Sequence, residues 1–125
     1  MLTCVLVEDE PLLRKLLTEV VESHPDTSMV GSVGTAAEAI ALCRQWAPEL
    51  LVLDLNLPDG SGLDVALAVA TERGDTQVVV LSAEAGCFVC PPELRPLLRG
   101  VIDKIHAYEA LPAAIDELLA SKAEP

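Results

Sequence analysis

The side chains that could do chemistry in this chain stand at the ends of apolar runs. Cys4 to Val7 leads into Glu8-Asp9, Leu50 to Leu53 into Asp54, Val78 to Leu81 into Ser82, and Val101-Ile102 into Asp103-Lys104. Carboxylates brought to one place repel one another and raise a pKa unless a cation neutralises them. Glu8, Asp9 and Asp54 gathered with a hydroxyl and an ammonium therefore predict an oxygen-ligand site for a hard divalent ion. Mg2+ is favoured where water completes the shell, with Mn2+ as its substitute. A carboxylate beside such an ion is a candidate nucleophile toward phosphorus, which makes Asp54 the candidate carrier of an aspartyl phosphate. Such a transfer needs in-line positioning and neutralisation of the phosphoryl oxygens, and the ion, Lys104 and the Ser82 hydroxyl together can supply it. Taken singly, Glu8, Asp9 and Asp54 would read as favourable charges at helix starts, and Lys104 as a solvated ammonium; their joint register argues for a site.

The elements that must position these residues follow from pattern. The aliphatic runs at Cys4 to Val7, Met29 to Val33, Leu50 to Leu53, Val78 to Leu81 and Val101-Ile102 are strands, and the clearest are continuous, as for strands buried on both faces. Pro11 to Glu22 repeats Leu12, Leu13, Leu16, Leu17, Val20 and Val21 at helical spacing, with Arg14, Lys15, Thr18 and Glu19 left for water. Thr35 and Glu38 form a capping box for a helix to Gln45. Leu63 to Glu72 is a third helix, stopped at Arg73-Gly74. Pro91, Pro92 and Pro96 fall where a fourth is due, so at most a short helix near Pro92 to Leu98 is expected. Leu111 to Ala120 closes the chain, with Pro112 tolerable only in its first turn. Asp59 and Gly60 read as turn formers in the loop after Asp54. Five strands alternating with helices predict an α/β three-layer domain with right-handed crossovers, over residues 1–121, with 122–125 a tail or the start of a linker.

Composition narrows the function. The chain has 125 residues, 51% hydrophobic with three aromatics, enough for one domain with an aliphatic core. Eight Lys and Arg stand against 20 Asp and Glu, a net charge of −12, which repels nucleic acid and anionic membranes. No apolar stretch reaches the roughly 20 residues of a membrane span, and the N-terminus lacks the pattern of a signal peptide. A cytoplasmic protein is expected, with its four cysteines reduced.

At Val5-Leu6-Val7-Glu8-Asp9-Glu10, Leu53-Asp54-Leu55-Asn56-Leu57-Pro58-Asp59-Gly60-Ser61-Gly62, Leu81-Ser82-Ala83 and Lys104, the chain resembles the receiver domain of two-component response regulators along essentially its whole length. The resemblance implies a flavodoxin-like (βα)5 sandwich with sheet order 2-1-3-4-5. It makes Asp54 the phosphoacceptor, Asp9 a direct metal ligand, Glu8 a ligand through water and the Asn56 main-chain carbonyl a further ligand. It has Ser82 and Lys104 contact the phosphoryl group, and Asn56 and Glu84 tune its hydrolysis. It implies a histidine kinase or histidine phosphotransfer protein as donor and no catalysis beyond the domain's own phosphorylation and dephosphorylation, and it is compatible with a C-terminal output domain in the full-length protein.

Three departures stand out. Ile105 occupies the position where the family places a proline after its lysine, and a cis bond there would cost about 2.5 to 4 kcal/mol, so a trans bond and a different loop are expected. Val101 stands where an aromatic switch is usual. The fourth helix carries the three prolines. The phosphorylation chemistry therefore reads as intact and the output face as altered. The alternative is a receiver-like interaction module that binds regardless of phosphorylation, or senses redox state through Cys87-x-x-Cys90, a spacing that supports thiol chemistry. One such pair does not make a zinc site, and His24 and His106 have no ligand spacing to the cysteines and read as surface residues.

Overall fold

The computed structural model describes residues 1–72 and 75–123. Its elements are β1 (Leu2–Val7), α1 (Pro11–Ser23), β2 (Thr27–Val33), α2 (Ala36–Trp46), β3 (Leu50–Asp54), the short β4 (Asn56–Leu57) and β5 (Gly60–Ser61), α3 (Gly62–Glu72), β6 (Gln77–Ser82), β7 (Leu98–Asp103) and α4 (Ala107–Ala123). The long strands form one parallel sheet in the order β2-β1-β3-β6-β7, which is 2-1-3-4-5 when the long strands alone are counted, while β4 and β5 make a small antiparallel hairpin. This is the flavodoxin-like sheet.

Successive side chains on a strand point to opposite faces, so each central strand serves two cores. Cys4 and Leu6, Leu50 and Val52, and Val79 and Leu81 share one cluster with Leu17 and Val21 of α1 and Leu111, Ile115 and Leu118 of α4. Val5 and Val7, Leu51 and Leu53, and Val78 and Val80 share the other with Ala39 and Cys43 of α2 and Val65, Ala66 and Val69 of α3. Burial on both faces is why these strands read as continuous apolar runs. Each fully buried Leu or Val contributes about 1.5 to 3 kcal/mol relative to leaving it in water.

The fourth crossover corrects one expectation. Residues 92–97 form turns, not a helix, and the only helical piece of this crossover is a single 3-10 turn at Ala85–Cys87. Leu94 N donates to the Pro91 carbonyl at 3.0 Å, Arg95 N to Pro92 at 3.3 Å and Leu97 N to Leu94 at 3.0 Å, all three-residue spans. Three prolines in six residues remove the N–H groups that an α-helical ladder would need. The described residues thus hold four α-helices in place of the five of a regular (βα)5 chain. Leu94 and Leu97 are nonetheless buried in the cluster beneath α2 and α3.

Two helices also differ from expectation. Pro112 lies inside α4, not in its first turn, because the helix starts at Ala107, straight after a 3-10 turn at Lys104–His106 that the Asp103 side chain caps through Ile105 N. Burial of Ala107, Leu111 and Ile115 offsets the hydrogen bond that Pro112 forfeits. On α1, Leu12 is 77% exposed and Leu16 39%, so the apolar face is narrower than its leucines suggest. The expected stop of α3 at Arg73-Gly74 lies outside the described residues; α4 extends through Lys122 and Ala123, and Glu124 and Pro125 lie outside them too.

Candidate functional site

Three strands of the sheet deliver the site from their C-terminal ends, where ligands of open parallel sheets bind. Glu8 directly follows β1 and is tied to the neighbouring strand by its N–H on the Val33 carbonyl at 3.0 Å. Asp54 is the last residue of β3, and Lys104 directly follows β7. Glu8 and Asp54 are fully buried and Asp9 is exposed beside them; one carboxylate oxygen from each lies within 4.8 Å of the others. The sequence-derived set Glu8, Asp9, Asp54 and Lys104 therefore meets at one edge.

Lys104 Nζ is 2.8 Å from Asp54 Oδ2 and 3.1 Å from Glu8 Oε1. Asp54 Oδ1 accepts from Asn56 N at 3.0 Å, and Glu8 Oε2 accepts from Glu10 N at 3.0 Å. Glu8 Oε1 completes no hydrogen bond despite being buried. Burial pushes the Glu8 carboxyl up to about 7, aided by the Asp54 charge and opposed by the Glu10 N–H and Lys104. Lys104 is desolvated as well, yet its bonds and charge contacts to Asp54 and Glu8 outweigh that and hold it above the ordinary lysine value. Asp9 also loses some solvation, but bonds to Asp54 and Glu8 leave its carboxyl below the usual range.

Three carboxylates face one ammonium, so the cluster keeps an excess of negative charge, and the buried Glu8 Oε1 has the shared Lys104 beside it but no hydrogen bond completed to it. The carboxylates are the donors a hard divalent cation takes. The residues fit Mg2+ at Glu8, Asp9 and Asp54.

Ser82 ends β6, nearly buried, with its Oγ accepting from Glu84 N at 3.0 Å. Asn56 and Glu84 are exposed, and together with Ser82, Leu55, Cys87 and Phe88 they line a cleft of about 460 Å3. Ser82, Asn56 and Glu84 thus border a shared space beside the acidic cluster. The Lys104-Ile105 bond is trans, in line with the energetic expectation, and Ile105 is 80% exposed.

Several supporting residues escaped the sequence reading. Glu10, not the site carboxylates, caps α1 by accepting from Leu13 N at 2.7 Å. Arg14 Nη1 donates to the Glu8 carbonyl at 3.2 Å, so it is not simply left for water. Asp59 does more than turn the chain: its two oxygens accept from Ala36 N at 2.7 Å and Ala37 N at 3.0 Å, clamping the loop after Asp54 to the start of α2. These amides hold its carboxyl below the usual range. Gly62 is required by close approach, because a Cβ there would lie 1.9 Å from the Asp54 carbonyl oxygen. His24 is half-buried rather than a free surface residue: Asp26 N donates to Nδ1 at 3.2 Å, which leaves the Nε2 proton for Asp116 Oδ1 at 2.7 Å. Glu10 and Asp59 carried a local signal, an acid just before or across from a helix start; the His24 pairing spans 92 positions and carried none.

Comparison with known proteins agrees with this geometry. The family model for the response regulator receiver domain matches residues 4–116. A protein-glutamate methylesterase/protein-glutamine glutaminase of Rhizobium etli is 30% identical over 110 residues, covering 74% of this chain and 31% of that protein. The nitrate/nitrite response regulator protein homolog of Haemophilus influenzae is 31% identical over 81 residues, covering 65% of this chain and 39% of that protein. The chain thus spans about a third of the length of these curated relatives. Among solved structures, the response regulator domain of Thermotoga maritima CheB matches with a TM-score of 0.81 at 20% identity, over 100% of this chain and 99% of that one. The Thermotoga maritima response regulator TrrA, solved with Mg(2+)-BeF, matches with a TM-score of 0.77 at 21% identity, over 94% and 99%. With the matched residues running from β1 into α4 and taking in Glu8, Asp9, Asp54, Ser82 and Lys104, the chain belongs to the response regulator receiver domain family.

Proposed function

We propose that this chain is a phosphoacceptor switch in which Asp54 takes a phosphoryl group from a histidine kinase or a histidine phosphotransfer protein. The observation that carries the reading is the buried Asp54 carboxylate at the end of the central strand, 2.8 Å from Lys104 and within the acidic cluster. An Asp54 oxygen attacks phosphorus, the bond from phosphorus to the donor nitrogen breaks, and the imidazole leaves with a proton. Glu8, Asp9, Asp54 and the Asn56 main-chain carbonyl would hold the divalent ion. When bound, that ion supplies positive charge against the phosphoryl oxygens. Lys104, already bonded to Asp54, neutralises a further oxygen, and the Ser82 hydroxyl, whose Oγ accepts from Glu84 N, turns to donate to another. Asn56 and Glu84 control water access to the acyl phosphate from the cleft they share with Ser82.

In this reading the domain, residues 1–121, catalyses only its own phosphorylation and dephosphorylation, acts in the cytoplasm, and binds neither membrane nor nucleic acid itself, in keeping with its net charge of −12. Two arguments support an altered output: residues 84–98 hold no α-helix, and Val101 in β7 offers no aromatic ring to rotate. An output domain following this one would receive the signal.

Incubation with a small acyl phosphate and Mg2+ should add one phosphoryl group by intact mass, and EDTA or Asp54→Asn should abolish the gain. Labelling that persists in Asp54→Asn overturns the assignment. Glu84→Leu should lengthen the life of the phosphorylated state, and an unchanged decay would remove Glu84 from its tuning role.

A further inference from the structure

The irregular crossover carries a feature that phosphoryl transfer does not use. Cys87 ends the 3-10 turn, is exposed, and lines the cleft of about 460 Å3 together with Asn56, Ser82, Glu84, Phe88 and Val89. Cys90 follows three residues later, half-buried, with Sγ 3.4 Å from the Pro91 carbonyl. Both are free thiols. The other two cysteines are built differently: Cys4 and Cys43 lie in the core, and burial pushes the Cys4 thiol up to about 12. One exposed thiol and one half-buried thiol that packs on the core edge share a segment, against two sealed ones elsewhere, which separates this pair from structural apolar residues.

The backbone between the pair lies outside helix and strand, with Phe88 extended. Cys87 N and Phe88 N bond back to Glu84 and Ala85 at 2.9 and 3.3 Å, and residues 88–91 belong to neither helix nor strand. A disulfide needs its Cα atoms about 4.4 to 6.8 Å apart, which is the span of a four-residue turn. Closure therefore makes Phe88 and Val89 the centre of a turn. Val89 is 81% exposed and offers little resistance, whereas Phe88 packs on the core edge and walls the cleft, so moving it changes the space beside Ser82 and Glu84.

We propose that Cys87 and Cys90 form a reversible intrachain disulfide on exposure to a hydroperoxide, and that closure reshapes the cleft beside the acidic cluster. The Cys87 thiolate attacks the peroxide oxygen, the O–O bond breaks, and the leaving oxygen takes a proton to give an alcohol, or water when the oxidant is hydrogen peroxide. The Cys90 thiolate then attacks the resulting sulfenic sulfur, the S–O bond breaks, and water leaves. Two thiols lose two electrons and two protons to one hydroperoxide. A dithiol reductant reverses the bond by exchange. Any consequence for the life of an aspartyl phosphate rests on the phosphoacceptor reading; the bond and the reshaped cleft do not.

The test treats the reduced protein with equimolar hydrogen peroxide, followed by peptide mapping and hydrogen exchange. The expected result is the loss of two hydrogen atoms in the peptide holding both cysteines, reversal by dithiothreitol, and no such loss in Cys87→Ser or Cys90→Ser. Exchange at residues 82–89 should change in the native chain and not in either variant. Covalent dimers through Cys87, or sulfinic acid at Cys87 without a cross-link, would overturn the disulfide; a disulfide with unchanged exchange would overturn the cleft coupling. A reduced protein that forms the disulfide yet takes no phosphoryl group counts against the phosphoacceptor reading alone.

Discussion

The C-terminal ends of β1, β3 and β7 and the crossover from β6 to β7 are neighbours built on opposite plans. At the strand ends Glu8 and Asp54 are fully buried, each held by backbone N–H groups and a shared lysine. In the crossover, exposed Cys87 ends a turn closed by three-residue hydrogen bonds and exposed Val89 lies in the irregular stretch after it, anchored from below by Leu94 and Leu97. Preorganised charge requires the first plan, since donors and carboxylates must already stand where charge will change. Switching segments are drawn from the low-stability end of a structure, where few hydrogen bonds must break. Under the proposed phosphoacceptor function, the strand ends would carry the chemistry and the crossover the response.

A pair of glycine substitutions breaks or sharpens that contrast most strongly. Gly62→Ala drives a Cβ into the Asp54 backbone at 1.9 Å and should cost about 3 kcal/mol or more, whereas Gly86→Ala meets nothing within 4 Å and should stay within about 0.5 kcal/mol. Denaturant unfolding measures both, and equal losses would erase the distinction between the regions.

The second effect is electrostatic. The folded Glu8 carboxyl sits near 7 against 4.5 when free, so the metal-free folded state binds more protons than the unfolded one between those values. Its contribution is fully present below pH 4.5 and is lost as pH rises through 7, a decline on the order of 3 kcal/mol. Glu8→Gln should flatten that decline and Mg2+ should offset it. A native stability curve without this slope would mean that Lys104 fully compensates the buried charge.

Thiol accessibility draws the contrast again. A soluble aromatic disulfide reagent should modify Cys87 in the native protein, with Cys4 and Cys43 reacting only after unfolding. Modification of Cys4 without unfolding would show the core opening as readily as the crossover.

The smallest expected effect belongs to Asp59. Asp59→Ala removes two acceptors from the first turn of α2 and should lower Tm slightly at neutral pH. Because its folded pKa is below 3.8, its contribution is present above that value and fades as pH falls through the folded one. The native and variant Tm values should therefore converge in strong acid, and a constant gap would mean the clamp is not charge-dependent.

These contrasts also explain what could be read from the sequence. Strands buried on both faces leave continuous runs, and a polar residue that ends such a run must fall at the sheet's C-terminal edge, so Glu8, Asp54, Ser82 and Lys104 were legible as site candidates before any coordinates. The prolines at 91, 92 and 96 announced a broken helix, but not that turns would replace it, because Leu94 and Leu97 still carry a helix-like apolar spacing. Pro112 misled in the other direction: the residues that start α4 early are Asp103 and Ala107, whose capping and burial depend on β7 lying beside β6. The exposure of Leu12 and Leu16 and the pairing of His24 with Asp116 depend on how α1 lies against α4. Contacts between elements far apart in the chain leave no local pattern.

The central claim is that the buried carboxylate of Asp54 is the phosphorylated atom group, and chemical trapping tests it most directly. The protein is loaded with a small acyl phosphate and Mg2+, reduced with borohydride, which converts an aspartyl phosphate to homoserine, and mapped by peptide mass spectrometry. The account predicts homoserine at position 54 alone, and none when Mg2+ is removed by EDTA. Homoserine at position 9 instead, or a phosphoryl group found on Ser82 or a histidine, would contradict it.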